Sequence, residues 1–319
     1  MRLFANANFD FLGHRRAAYA ASGAAIALSI IAALFWQFNK GSWLNYGVDF
    51  TGGTIVQVEF RQETSVGELR ETLGAVVPGA EITRFGAENE YLVRASDFAE
   101  GGREVGAVIV EALTGRYGAD GFTVTRTEAV GPKIGGELQQ RALLAILLSF
   151  AGILAYLAIR FEWRFGVAAV VAVAHDILVT LGMISAFQME VLLPTVAAVL
   201  TIVGYSINDK IIVFDRAREN LKKSGRREDL VTILNRSVNE TLPRTVMTSV
   251  TTLVTLFALF VLGGEMVRDI ALIMFVGILV GTYSSIFVAS PALLVITERW
   301  KPQQKSGAPA RTVRTGAAV

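Results

Sequence analysis

The 319-residue chain has no cysteine and only two histidines, His14 and His175, which excludes disulfides, thiolate metal centres, cysteine nucleophiles and multi-histidine metal sites. Charge is scarce as well. Only 18% of residues are Asp, Glu, Lys or Arg, and the net charge of +2 gives no argument for a nucleic-acid partner. No Walker-type glycine loop ending in Lys-Ser/Thr occurs. The run Gly131-Pro-Lys-Ile-Gly-Gly136 lacks the spacing and terminal hydroxyl that phosphate and Mg²⁺ need, and reads as a tight connection. No Ser-His-Asp arrangement suggests itself outside the apolar segments, so neither covalent catalysis nor a small cofactor is expected. What fills the chain is apolar: 52% of residues are hydrophobic and the mean hydropathy is +0.47, too apolar for an ordinary soluble domain and normal for several bilayer spans.

Six windows are long and apolar enough to cross a bilayer: 17–38, 142–159, 165–187, 191–214, 245–262 and 270–297. The first follows His14, Arg15 and Arg16 and ends at Trp36-Gln-Phe38 without a small-residue cleavage site, so it reads as an uncleaved anchor. The last is long enough to tilt, or to bend at Pro291. Lys and Arg alternate sides consistently. Arg15 and Arg16, Arg160 and Arg164, the run Arg216, Arg218, Lys222, Lys223, Arg226 and Arg227, and Arg299, Lys301 and Lys305 fall on one side, whereas the opposite short loops near 190 and 265–269 carry only Arg268. This predicts a cytoplasmic N-terminus (1–16), a first span, an external domain at 39–140, five further spans within 141–298 with a cytoplasmic loop at about 215–244, and a disordered cytoplasmic tail from 299 to 319.

The external segment reads as a folded domain. Thr54-Ile-Val-Gln-Val-Glu-Phe60 alternates like a strand, and Ser65 with Glu68 forms a capping-box pattern opening a helix to about Val76, which Pro78-Gly79 ends. Residues 80–85 and 91–96 read as strands about a turn at 86–90, 103–117 as a second helix and 122–129 as a last strand. The order β-α-β-β-α-β is the ferredoxin-like arrangement. The predicted fold class is a polytopic α-helical membrane protein with six transmembrane helices and one extracytoplasmic α+β domain.

Ionisable residues inside the spans are the most informative, because a charge at a helix centre costs roughly 2.5–3.5 kcal/mol. His175 and Asp176 lie near the middle of the third span, Asp209 lies in the fourth between Asn208 and Lys210, and Arg244 opens the fifth. Thr201, Tyr205, Asn208 and Asp209 share a helix face, and Thr241, Arg244, Thr245, Thr248, Thr252 and Thr255 form a similar stripe, so two polar stripes are expected to face one another. Asp209 reads as a proton carrier or as a polar anchor through Asn208 or Arg244. Arg244 is a partner for it or a snorkelling cation. Lys210 points about 100° away from Asp209 and is expected to snorkel rather than couple. His175 is a proton relay or a packing histidine with Asp176 as its partner. The Gly277 and Gly281 spacing predicts close helix packing.

Taken in order, Gly47-Val-Asp-Phe-Thr-Gly-Gly-Thr54, Val130-Gly-Pro-Lys-Ile-Gly-Gly-Glu-Leu138, His175-Asp176, Tyr205-Ser-Ile-Asn-Asp-Lys-Ile-Ile-Val-Phe-Asp-Arg216 and Leu242-Pro-Arg-Thr245 closely resemble the SecF subunits of bacterial SecD–SecF protein-export complexes, over about residues 10–300. The resemblance implies an inner-membrane protein related to the proton-driven resistance-nodulation-division exporters. It implies a SecD-like membrane subunit as partner, with the SecYEG channel, YajC, membrane lipid and the translocating polypeptide as further partners. It also implies a role after the SecA-driven step, in which the proton-motive force assists release or pulling of the polypeptide while the external domains change posture. The family's intramembrane Asp and Arg map onto Asp209 and Arg244, and its external signature onto Asp49, Phe50, Thr51, Gly52 and Gly53. Lys210 departs from the pattern, where a small or hydroxyl residue is expected. Two other readings stand beside this one. An exporter of small molecules or lipids is disfavoured by the single external domain of about 100 residues, and a translocon scaffold has no proton chemistry of its own.

Overall fold

The computed structural model describes residues 4, 7–85, 89–95, 104–224 and 228–300. The expected turn at 86–88, the ends of the second hairpin strand and second helix at Ser96 and Arg103, the arginines at 226 and 227 and the tail from Lys301 lie outside the described residues.

Six helices are long and apolar enough to cross a membrane, spanning Arg15–Lys40, Lys133–Arg160, Trp163–Ala186, Leu193–Ser224, Leu230–Leu262 and Val267–Arg299. They correspond to α1 (Arg15–Lys40), α5 (Pro132–Arg160), α6 (Trp163–Ala186), α7 (Leu193–Ser224), α8 (Leu230–Leu262) and the composite α9 (Glu265–Ser284), a π-helical turn (Ser285–Ala289) and α10 (Ser290–Arg299). Where tilt or a bend at Pro291 was expected, the helix widens for one turn just ahead of the proline. Proline offers no N–H and its ring crowds the carbonyl four residues back, so the i→i+5 turn before it relieves the conflict. The expected loop of about 215–244 is entered from both sides by helix, because α7 runs on to Ser224 and α8 begins at Leu230. Polar pairs hold these extensions together: Arg216 meets Glu219 on its own helix and Glu240 on α8, each at 2.6 Å, and Asn220 donates to Ser237 at 3.0 Å.

Helix α6 sits in the middle of the bundle, with Ala168, Ala169 and Ala172 fully buried against α7, α10 and the π turn. Glycine allows the closest approaches. A Cβ at Gly182 would fall 2.0 Å from Ser29 Oγ of α1, and one at Gly277 would fall 2.4 Å from Ile202 Cδ1 of α7. One at Gly281 would fall 2.9 Å from Ser206 Oγ, so the Gly277/Gly281 pair presses α9 onto α7.

Between α1 and α5 lie β1 (Asn45–Tyr46), α2 (Val48–Thr51), β2 (Gly53–Phe60), α3 (Val66–Gly74), β3 (Glu81–Arg84), β4 (Glu90–Ala95), α4 (Val105–Tyr117) and β5 (Phe122–Val130). The capping box forms as expected: Ser65 Oγ accepts from the Glu68 N–H at 3.2 Å and Glu68 Oε2 accepts from the Ser65 N–H at 3.0 Å. Four strands make one sheet in the order β3-β4-β2-β5, with every neighbouring pair antiparallel. Alternation sorts the side chains. Val56, Val58, Tyr91 and Val93 face Leu69, Leu73, Ile109 and Leu113 of the two helices, while Ile55 and Leu92 face the other way. A second, parallel pairing joins β1 to β6 (Glu190–Val191), the short segment ahead of α7.

Candidate intramembrane charge site

Lys210 does not snorkel. Its side chain is fully buried, and Nζ donates to Asp176 Oδ2 at 2.7 Å and to Ser284 Oγ at 3.0 Å, with Ser206 Oγ as a third partner. The direction follows from helix geometry: about 100° from Asp209, and on the face of Ser206 four residues earlier, Lys210 looks into the packed seam between α6, α7 and α9. In that seam a buried ammonium is tolerated only with a carboxylate and further hydrogen bonds around it. Asp176 supplies them from α6. Its Oδ2 also accepts from Ser206 Oγ at 2.5 Å, and its Oδ1 lies 3.0 Å from His175 Nδ1. His175 is thus a buried partner of Asp176, with Nε2 unpartnered among the described residues and its ring 6.2 Å from that of Tyr283.

Asp209 is placed differently. It is 1% exposed, and Oδ2 has no hydrogen-bond partner among the described residues. No ion pair within 4 Å joins it to Arg244 among the described residues, and Arg244 is exposed at the wall of an open cleft of about 350 Å³ shared with Asp215, Arg216, Glu219 and Glu240. Asn208 is likewise exposed and, among the described residues, makes no hydrogen bond that ties Asp209 to a neighbouring helix. Among the described residues the two polar stripes are joined by one hydrogen bond, where Thr252 Oγ1 and the Tyr205 hydroxyl are 3.4 Å apart. Thr248 and Thr252 also bond back to their own helix, to the Arg244 and Thr248 carbonyls, while buried Thr245 Oγ1 has no partner among the described residues.

At the other end of the bundle, Asp49 Oδ2 accepts from the Leu193 N–H at 2.9 Å and so satisfies a free amide at the start of α7. Thr51 Oγ1 donates back to the Gly47 carbonyl at 3.1 Å, and buried Phe50 packs edge-on to Tyr46. Gly52 and Gly53 adopt φ of 75° and 125°, the turn from α2 into β2 that a side chain would strain. A Cβ at Gly135 would lie 3.0 Å from Gly52 N and 3.1 Å from the Phe50 carbonyl, so the two glycine motifs pack on one another.

Sequence reasoning missed Lys210, Ser206 and Ser284 as parts of the charge site. One signal was present: Asp176 lies mid-span with no Lys or Arg in its own apolar window 165–187, and Lys210 is the one such cation in the neighbouring window 191–214.

The description "Protein export membrane protein SecD/SecF, C-terminal" matches residues 109–299, and the "SecD/SecF GG Motif" matches residues 41–64. The chain is 46% identical to the "Protein translocase subunit SecF" of Gemmatimonas aurantiaca, over 100% of this chain and 96% of that one. It is 45% identical to the protein of the same name from Desulfurispirillum indicum, over 89% and 90%. Among solved structures it resembles the crystal structure of SecDF, a translocon-associated membrane protein from Thermus thermophilus, with a TM-score of 0.80 and 41% identity over 92% of this chain. It spans 39% of the length of that solved chain. With one family description covering more than half of it and SecF relatives matching it along nearly all of it, the chain belongs to the SecD/SecF family of protein-export membrane proteins.

Proposed function

We propose that this SecF-family chain joins a SecD-like subunit in the inner membrane and couples the proton-motive force to translocation and release of polypeptides leaving the SecYEG channel, with YajC as a further neighbour. In this reading both termini are cytoplasmic, and the α+β domain, ferredoxin-like in element order, stands in the periplasm. The chain works as a transport subunit and carries out no covalent catalysis. The observation that supports proton coupling is the contrast between two buried carboxylates. Asp176 is held by Lys210, Ser206 and His175, whereas Asp209 has an oxygen with no partner. Asp209 is therefore the group free to take up and release a proton, with Arg244 as the cation it meets when α7 and α8 move. His175, Asp176 and Lys210 brace the helix that carries it, and Asn208 borders it. Each proton crossing a potential of about 100 mV releases about 2.3 kcal/mol, enough to bias a two-state movement roughly fiftyfold.

The test is gradient-dependent release of a translocated client from inverted vesicles. Asp209→Asn, at matched assembly, is expected to abolish the dependence on the gradient. Unchanged dependence would leave Asp209 as an anchor and favour the scaffold reading.

A further inference from the structure

The α+β domain rests on the helices through the face of its sheet that carries neither α3 nor α4. Ile55, Leu92 and Phe85 cluster there with Val48. A cavity of about 60 Å³ separates this face from the adjoining ends of α7 and α9, with Arg126 on the sheet side and Glu190, Thr195 and Asp269 opposite. The two layers are not closed on one another at this cavity, and the side chains that line it forgo the dispersion contacts a filled core would give them there.

At one edge of the cavity a charge pair crosses between the layers. Arg94 Nη2 of β4 lies 2.6 Å from Glu190 Oε2, both side chains being 21% exposed. Among the described residues it is the only ion pair between the four-stranded sheet and the part of the chain from α5 onward. Arg94 Nη1 also lies 3.4 Å from Glu81 Oε2 on β3, so the cation is shared between a carboxylate of its own sheet and one fixed to the helices.

Glu190 is firmly seated. It pairs in β6 with Asn45, and a Cβ at Gly47 would lie 2.5 Å from its Oε1. Three residues on, the N–H of Leu193 is held by Asp49. Glu190 therefore moves with the head of α7, the helix that carries Asp209 about 24 Å further along.

We infer that the Arg94–Glu190 pair is a latch that docks the sheet on the head of α7 and releases it when α7 shifts, with Glu81 keeping the Arg94 cation paired in the lifted posture. The inference rests on the reading above only in that the domain changes posture during export; the docking itself is a property of the chain at rest. Release breaks no covalent bond, and lifting the sheet opens both partners, each about a fifth exposed in the docked state, to solvent.

The absence of cysteine makes the test direct. Spin labels on Thr123→Cys, exposed on β5, and Phe187→Cys, exposed beyond α6, report the distance between sheet and helices in the full chain, reconstituted without a proton gradient. The parent is expected to give one narrow distance. Arg94→Gln and Arg94→Glu should each raise a second, longer population roughly fivefold, and Arg94→Glu combined with Glu190→Arg should restore the narrow one. Single variants that keep the parent distribution, or a swap that leaves it broad, would overturn the latch. Because no gradient is applied, the outcome does not depend on Asp209. Loss of gradient dependence in Asp209→Asn with unaltered distances in the Arg94 variants would keep the motor and sink the latch, and the reverse pattern would do the opposite.

Discussion

Lys210 Nζ and Asp176 Oδ2 lie 2.7 Å apart in the centre of the bundle, with neither side chain reaching solvent. Two helices are tied together where apolar packing alone would hold them, at the level where α9 gives way to its π turn at Ser285. Removing one partner leaves the other charge buried alone. Lys210→Met or Asp176→Asn is therefore expected to lower stability by about 3–5 kcal/mol, while Lys210→Met with Asp176→Leu should lie closer to the parent than either single change. Thermal unfolding in detergent micelles measures all three.

Asp209 and Arg244 are expected to act as one unit. In the release assay Arg244→Gln should weaken gradient dependence about tenfold or more, and adding it to Asp209→Asn should cause no further loss, the signature of coupled residues. Additive losses would assign the two residues separate tasks.

The motif residues Gly47 and Asp49 are expected to show themselves at the start of α7. Asp49→Ala removes the acceptor for the Leu193 amide and should cost about 1 kcal/mol. Gly47→Ala should do more damage, since its Cβ would fall 2.3 Å from Leu192 Cδ2. Hydrogen exchange at Leu193 reads both effects, rising in each variant relative to the parent.

Glu190 makes docking of the sheet pH-dependent. Burial, with smaller contributions from Asp49 and Glu81, outweighs the Arg94 cation and pushes its carboxyl above the usual carboxylate range. Arg126 lines the same cavity from the sheet side and Asp269 lines it from the helix side. The docked posture thus holds a proton on Glu190 more firmly than an undocked one, in which the carboxyl is solvated. Its contribution to docking is full below the ordinary Glu range and is lost as pH rises through the raised value. A neutral carboxyl still accepts a hydrogen bond from Arg94 without the desolvation cost of a charge. The spin-label distance, followed from about pH 8 to about pH 5, should shift toward the docked value on acidification, and Glu190→Gln should remove that pH response while remaining docked.

Much of this protein is written locally. Run length and hydropathy mark the six spans, Ser65 with Glu68 marks the start of α3, and period-two alternation marks which face of β2 meets α3 and α4. The order of the motifs was sufficient to identify the family. These features depend on residues within a few positions of one another, and so they survive in a linear reading.

The charge site does not. Spacing along α7 gives the angle between Asp209 and Lys210, but not which of the two faces α6, and it is the packing of three helices that turns Lys210 inward onto Asp176 and leaves Asp209 without a bonded cation. In the same way nothing near Asn45 in the chain announces that it pairs with Glu190, or that Asp49 holds the Leu193 amide. Those contacts join segments more than a hundred residues apart, and they exist because α6 brings the chain back to the end of the helical bundle where the α+β domain sits. Local chemistry determined the elements; the azimuth of each helix and the place where the two roots of the domain meet were decided by close packing.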